Sequence, residues 1–279
     1  IIPNRDSYDY ISVCLHSVFE ISHYKNFELV LVDNNSSDPR CLALYQEFVD
    51  NYPDRFTVLE DKGYFNFARL NNNGVKKANG DYLIFLNSDT EVLHGDWIEE
   101  LLGLAQLEKV GAVGCKLHYG NGPIQHAGVY GAGRSVGGHS GRLLPAEADL
   151  PLAINNCIHE CLGVTAACLM IKKEKFMKIG GFEETHIPNG FGDVLFGISL
   201  LESGLINLYT PYVELKHYES ITRGKNIEMY ERNYLCRKYP HYLLMDPYYN
   251  LNYSYNDHYL LDENYRMPNL PKNWLEMEF

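Results

Sequence analysis

Two hydrophobic periods take turns along the first 120 residues. Ile1 and Ile2 end a strand, and Ile11, Leu15, Val18 and Phe19 then recur at the three- and four-residue spacing of a helix face. Residues 27–34, FELVLVDN, form a continuous apolar run that stops at a polar turn, as a strand buried on both faces does. A helix through Leu44, Tyr45, Phe48 and Val49 follows, then a strand at 56–60 and a helix over 66–79. The pattern continues with a strand at 81–87, a helix from Asp96 to about Leu107 and a strand at 110–119. Repeated strand–helix units predict an α/β fold, with a mostly parallel central sheet covered by helices on both faces.

Beyond this point the pattern changes. Residues 111–141 hold ten of the 23 glycines, which predicts a long irregular region of the kind that often carries function. A strand at 165–172 resumes the sheet, followed by GGFEE, a helix near 194–203 stopped by Gly204, and a strand at 205–211. Residues 230–279 hold ten of the 22 tyrosines and little periodicity, which predicts an irregular or partly helical extension. The expected division is a domain at 1–228 with a tyrosine-rich extension at 229–279 packed on it. With no initiating methionine and an opening inside a strand, the sequence reads as part of a longer chain.

Composition narrows the choices. Among 279 residues, 46% hydrophobic and 13% aromatic exclude disorder as the main state. Lys plus Arg number 24 against 36 Asp plus Glu, and the formal charge of -12 argues against a nucleic-acid partner. An enzyme that handles anions through a metal ion stays allowed. No run of eighteen apolar residues exists, so no transmembrane segment is expected. Seven cysteines, several in apolar runs, read as reduced core residues of a cytoplasmic protein, resting at most on the inner face of the membrane. Cys157 and Cys161 with His159 between them lack a second ligand pair for zinc.

In α/β sheets ligands sit beyond the carboxyl ends of the strands. Those ends carry Asn4-Arg5-Asp6, Asp33-Asn34-Asn35 and Asn87-Ser88-Asp89. Asp89 suits a hard divalent cation bound together with phosphate oxygens, or else caps a helix. Asp193 precedes the periodic Val194, Phe196, Ile198 and Leu201 and follows Gly190 and Gly192. It is a general base for a hydroxyl or, again, a helix cap. His217 is a metal ligand or a hydrogen-bonded structural histidine, and Arg223 is a phosphate contact. GAGRSVG at 131–137 has the spacing of a nucleotide loop, but no strand leads into it and no helix follows, which excludes a nicotinamide site.

Together these segments resemble an inverting, family 2-type glycosyltransferase of the GT-A fold, similar to bacterial polysaccharide and glycoprotein enzymes. IIPNRD resembles the opening strand, VDNNSSD the turn that contacts the base, and FNFARLNNNGVKKANGDYLIFLNSD the approach to the DXD metal motif. IQHAGV, GVTAACLMI and GGFEE match the acceptor side, and YTPYVELKHYESITRG matches the closing segment. The resemblance implies a nucleotide-diphosphate sugar donor, UDP- or dTDP-linked, and a glycan or glycoprotein acceptor. It implies donor contacts from Pro3, Asn4, Asp6, Asp33, Arg69, Asn87, Ser88 and Arg223. Asp89 and His217 would hold Mn²⁺ or Mg²⁺, and Asp193 would be the base. Two motifs depart from the pattern: Asn87 replaces the first acid of DXD, and the acids expected beside Asp193 read Gly192 and Leu195. A catalytically weakened sugar-nucleotide or carbohydrate-binding module of the same fold is therefore the alternative. A sugar nucleotidyltransferase would need a basic glycine-rich loop where NRDSYDY stands. The glycine-rich region and the tyrosines are expected at the acceptor cleft, or in tail packing or a homo-oligomer contact.

Overall fold

A computed structural model describes residues 1–132, 135–218, 229–250 and 252–253. Strand β1 (Ile2–Asn4) pairs in parallel with β2 (Leu29–Asp33), and β2 pairs in parallel with β3 (Phe56–Glu60). Helix α1 (Tyr8–His16), whose end widens into a π turn at Ser17–Ile21, connects the first two strands. Helix α2 (Pro39–Asn51) connects the next two. Its start is fixed by Asp38, whose carboxylate accepts the Arg40 amide at 2.9 Å, and by Pro39 in the first turn. Helix α3 (Phe67–Lys77) begins in the same manner, with Asn66 accepting the Arg69 amide at 2.8 Å. Strand β4 (Tyr82–Leu86) lies beside β1: the Ile1 ammonium donates to Ile84 at 2.8 Å, and the Leu86 amide donates to Ile1 at 3.0 Å.

Both faces of this sheet are covered. Along β2, Leu29 and Leu31 pack against α1 and α2 residues such as Leu15, Leu44 and Phe48, while Val30 and Val32 pack with Leu70 and Val75 of α3. The period-2 alternation of a strand thus splits one apolar run between two cores.

The second half departs from the parallel order. After β5 (Thr90–Val92) and α4 (Trp97–Ala105), the long strand β6 (Val110–Tyr119) leads into β7 (Ile124–His126), β8 (Val129–Ala132), β9 (Ser135–His139) and β10 (His159–Cys161). The chain then re-enters as β11 (Cys168–Lys172), antiparallel to both β4 and β6 and lying between them. No crossover helix separates β6 from β11, and without one a strand does not return parallel. Helices α5 (Lys173–Lys178) and α6 (Gly192–Glu202) precede β12 (Ile206–His217), which pairs in parallel with β6. The expected α/β architecture holds, with parallel order in β1–β3 and between β6 and β12 and antiparallel insertions elsewhere.

The irregular region expected at 111–141 is a correction. Beyond the expected strand at 110–119 it holds β7, β8 and β9, and Gly131 and Gly138 sit in strands, where they admit close neighbours, while Gly122, Gly128 and Gly141 take the positive φ of turns. A Cβ on Gly114 would stand 2.4 Å from the Val164 side chain, and one on Gly131 would stand 2.5 Å from the Tyr242 carbonyl.

The extension contributes α7 (Met229–Lys238) and α8 (Pro240–Leu244). Leu235 and Leu243 pack with Val129, Leu162, Ile187, Val194, Leu195 and Ile198. Tyr249 stacks on Tyr130 with ring centres 4.7 Å apart, and Asp246 accepts the Gly131 amide at 2.7 Å. All seven cysteines are free thiols, and five of them are buried.

Candidate active site

The segment after β4 is pinned at both ends. The Thr90 hydroxyl donates to the Asn87 carbonyl at 2.8 Å, and the Tyr218 amide donates to the Asp89 carbonyl at 2.9 Å. Thr90 stands opposite His217 where β5 pairs with β12, so the end of β12 delivers the imidazole to this turn. His217 Nε2 lies 3.2 Å from Asp89 Oδ1 and 3.1 Å from Asn87 Nδ2. The other ring nitrogen, Nδ1, is 2.6 Å from Gln125 Oε1, and Gln125 Nε2 donates to the His217 carbonyl at 3.2 Å.

Gln125 therefore decides the tautomer. With its Nε2 committed as a donor, its Oε1 accepts from Nδ1–H, which leaves the lone pair of His217 Nε2 to accept from Asn87 Nδ2, with Asp89 Oδ1 beside it. Asp89 Oδ1 and His217 Nε2 are the two groups here that could hold a divalent cation. An oxygen and an imidazole nitrogen, each about 2.1 Å from an octahedral ion, stand about 3 Å apart, and this pair is 3.2 Å apart. Asp89 is not a helix cap, because the next helix starts eight residues on, at Trp97. Among the described residues no cluster of three His, Cys, Asp or Glu could hold a metal.

Asp193 lies in the first turn of α6. The cap position belongs to Phe191, whose φ of 49° is left-handed, so the cap reading of Asp193 is also corrected. Its Oδ1 accepts the Val194 amide at 2.9 Å, and its Oδ2 accepts the Ala166 amide at 3.3 Å. The next residue, Ala167, accepts the Asn87 amide at 3.1 Å. Ala166 and Ala167, just before β11, thus tie the Asp193 turn to the Asn87 turn. Asn87 and Asp193 line one cleft with Phe67, Thr165 and Pro188. Asn87 is the link: it lines the cleft with Asp193 and bonds His217, which stands 3.2 Å from Asp89, while neither Asp89 nor His217 lines that cleft.

The donor-side residues form a second group at the ends of β1–β3. Asp33 is buried; its Oδ2 accepts the Ser36 amide at 3.2 Å, while its Oδ1 has no hydrogen-bond partner among the described residues. Asp6, at a φ of 46°, accepts the amides of Asp38 at 2.7 Å and Ser37 at 2.5 Å. The Asp38 amide above all, with help from Ser37, holds its carboxyl below the usual carboxylate range. Asp6 thereby braces the loop beside Asp33. Asn4, next to Pro3 in β1, spends its amide inside the protein: Nδ2 donates to the Tyr45 hydroxyl at 2.6 Å, and Oδ1 accepts from Ser7. Arg69 donates to Asp61 at 2.8 Å and to the Tyr64 carbonyl at 2.6 Å, supporting the loop that bonds the Asp33 carbonyl through the Asp61 amide at 2.8 Å. Ser88 sits half-buried in the Asn87–Asp89 turn. Arg223 lies outside the described residues.

Gln125 was not singled out from sequence, although a buried glutamine in the apolar run IQHAGV was a visible clue. Leu195 explains itself here. Its face of α6 is covered by α7 and α8, and an acid there would be buried among leucines.

A strand-end cleft of this kind on this sheet coincides with a family match: residues 1–179 fit Glycosyl transferase family 2. The chain belongs to glycosyl transferase family 2. The match stops short of Asp193 and His217, and the hydrogen bonds above join those two to the matched part. One family relative, the uncharacterised protein y4gI of Sinorhizobium fredii, is 35% identical over 259 residues, covering 90% of this chain and 28% of that protein. Another, the O-antigen biosynthesis protein RfbC of Myxococcus xanthus, is 37% identical over 224 residues, covering 80% of this chain and 17% of that protein. The chain therefore spans less than a third of either relative.

The fold is that of known GT-A glycosyltransferases. GalNAc-T7, crystallised with UDP, GalNAc and Mn²⁺, superposes with a TM-score of 0.68 at 15% identity, covering 89% of this chain and 52% of that one. The mannosyltransferase PcManGT of Pyrobaculum calidifontis, in complex with GDP-Man and Mn²⁺, gives 0.57 at 15% identity, covering 79% and 56%. Among the described residues no helix of this family 2 domain is long and apolar enough to cross a membrane.

Proposed function

We propose that the domain is a metal-dependent, inverting hexosyltransferase that moves sugar from a UDP- or dTDP-linked donor to a hydroxyl of a glycan or glycoprotein. One observation carries this reading: Asn87 shares a cleft with Asp193 and also bonds the imidazole that faces Asp89. This supports a reading in which the base and the metal pair serve one transfer site.

Asp33 would accept the imide N–H of a uracil or thymine base, a role supported by its buried Oδ1, which has no hydrogen-bond partner among the described residues. Asp89 and His217 would hold Mn²⁺ or Mg²⁺. When bound, that ion supplies charge neutralisation for the departing diphosphate, which a chain of net charge -12 otherwise lacks. Arg223 adds a second cation by the family resemblance. Asp193 takes the proton from the acceptor hydroxyl as the oxygen attacks the anomeric carbon opposite the diphosphate, which inverts configuration. The glycan acceptor is supported by the name of the Myxococcus relative, an O-antigen biosynthesis protein.

A non-catalytic sugar-nucleotide module is favoured only by Asn87 and Leu195, which replace acids of the family pattern. A thermal-shift and turnover screen of nucleotide sugars with Mn²⁺ separates the two. A true donor at 100 times its Kd stabilises the fold by about 2.7 kcal/mol, an effect expected to vanish with EDTA. Stabilisation without transfer of sugar to a glycan acceptor and release of nucleoside diphosphate establishes the module. No response to any nucleotide sugar overturns both.

A further inference from the structure

We propose that Glu231, on the extension helix α7, is a positioning residue that holds the Asp193 turn in its working geometry. This rests on the function proposed above. Glu231 is fully buried, and its carboxylate grips the chain just before α6: Oε1 accepts the Asn189 amide at 3.2 Å, and Oε2 accepts the Gly190 amide at 2.5 Å. Hydrogen bonds from N–H to a carboxylate are about twice as strong as neutral ones, and two of them fix a loop in orientation as well as position.

The same face of α7 holds the same loop twice more. Tyr234, three residues on, stacks on His186 with ring centres 4.4 Å apart and planes 7° from parallel. Leu235, four residues on, packs in one cluster with Ile187. Positions 231, 234 and 235 share one helix face.

The gripped segment also faces the site. The Pro188 carbonyl accepts the Ala68 amide at 3.0 Å, and Asn189 Oδ1 accepts the Phe67 amide at 3.2 Å. Loop 187–190 is thus clamped between α3 and α7, and it feeds directly into the left-handed Phe191 and then Asp193. A Cβ on Gly190 would stand 3.0 Å from Glu231 Oε2, so glycine there lets the carboxylate approach the backbone. The extension is in this way part of the acceptor side rather than a cover for it.

The test compares Glu231→Ala and Glu231→Gln with the wild type, reading kcat for transfer, donor Kd by calorimetry, and amide exchange over 187–195. Glu231→Ala is expected to lower kcat about 10–100-fold, as a displacement of about 1 Å at a reacting group does, with donor affinity unchanged. Amides 189 and 190 should lose protection. Glu231→Gln keeps one acceptor oxygen, so its kcat should fall between the two. Should the alanine variant not fold, the glutamine variant decides: a reduced kcat with faster exchange at 189 and 190 supports the grip, and a wild-type kcat refutes it. Donor affinity lost in proportion to kcat also refutes it, because that marks general damage. Wild-type protein inactive with every donor refutes the function and this role together, whereas full activity in Glu231→Ala refutes the role alone.

Discussion

Asp193→Asn is expected to lower turnover by about 10²–10⁴-fold, the range that a positioned general base contributes. Donor affinity should be untouched, because among the described residues the carboxylate bonds the amides of Val194 and Ala166, and its proposed role is toward the acceptor. Asparagine is nearly isosteric and keeps one acceptor oxygen, so one of these two bonds survives. The stability cost is then about 1–3 kcal/mol, for one amide left facing an NH₂ group. Steady-state kinetics with calorimetric donor titration checks this directly. A fall in kcat at constant donor Kd identifies a group used in the transition state, whereas near-wild-type kcat removes Asp193 from the chemistry.

Asp89→Ala acts on the other end. It removes one of the two protein groups directed at the proposed ion and leaves His217 Nε2 facing only the Asn87 amide. Losing a residue that merely orients a metal ligand costs about 10–100-fold in affinity, so losing a ligand from a two-residue set should exceed about 10²-fold. The expected result is that Mn²⁺ no longer strengthens donor binding, so that titrations with and without EDTA coincide. An unchanged Mn²⁺ effect in Asp89→Ala would place the ion elsewhere.

Much of the fold was legible because buried strands and amphipathic helices write their periods plainly. The strand read at 56–60 is β3, Phe56–Glu60, and the helix read through Leu44, Tyr45 and Phe48 is α2. The glycine-rich stretch was misread for a physical reason. Glycine marks turns in most contexts, but beyond the expected strand at 110–119 Gly131 sits in β8, where the Tyr242 carbonyl crowds it, and Gly138 sits in β9, where the Tyr130 ring does. The antiparallel insertion of β11 was invisible because strand direction depends on the path between strands, not on their own residues.

The site divides in the same way. Asp33, Asp89 and Asp193 stand at strand and helix ends, where polar residues interrupt apolar runs, and each was found by that contrast. Local propensity could not exclude a helix cap at Asp89 or Asp193; the observed helix starts, after Asp96 and Phe191, do so. Asn4 and Asp6 show the converse. Polar residues at a strand end are also needed to hold neighbouring loops, and these two serve Tyr45, Ser37 and Asp38. Glu231 carried no local mark at all, since its partners lie more than forty residues away.

The most direct measurement is a crystal structure of this protein with Mn²⁺ and UDP, using the anomalous signal of manganese to place the ion. The expected ion lies between Asp89 Oδ1 and His217 Nε2, with the diphosphate as its other ligand, the uracil at Asp33 and the open side of the phosphate toward Asp193. An ion bound away from His217, or a diphosphate lodged out of reach of the Asp193 carboxylate, would contradict a single transfer site at these strand ends.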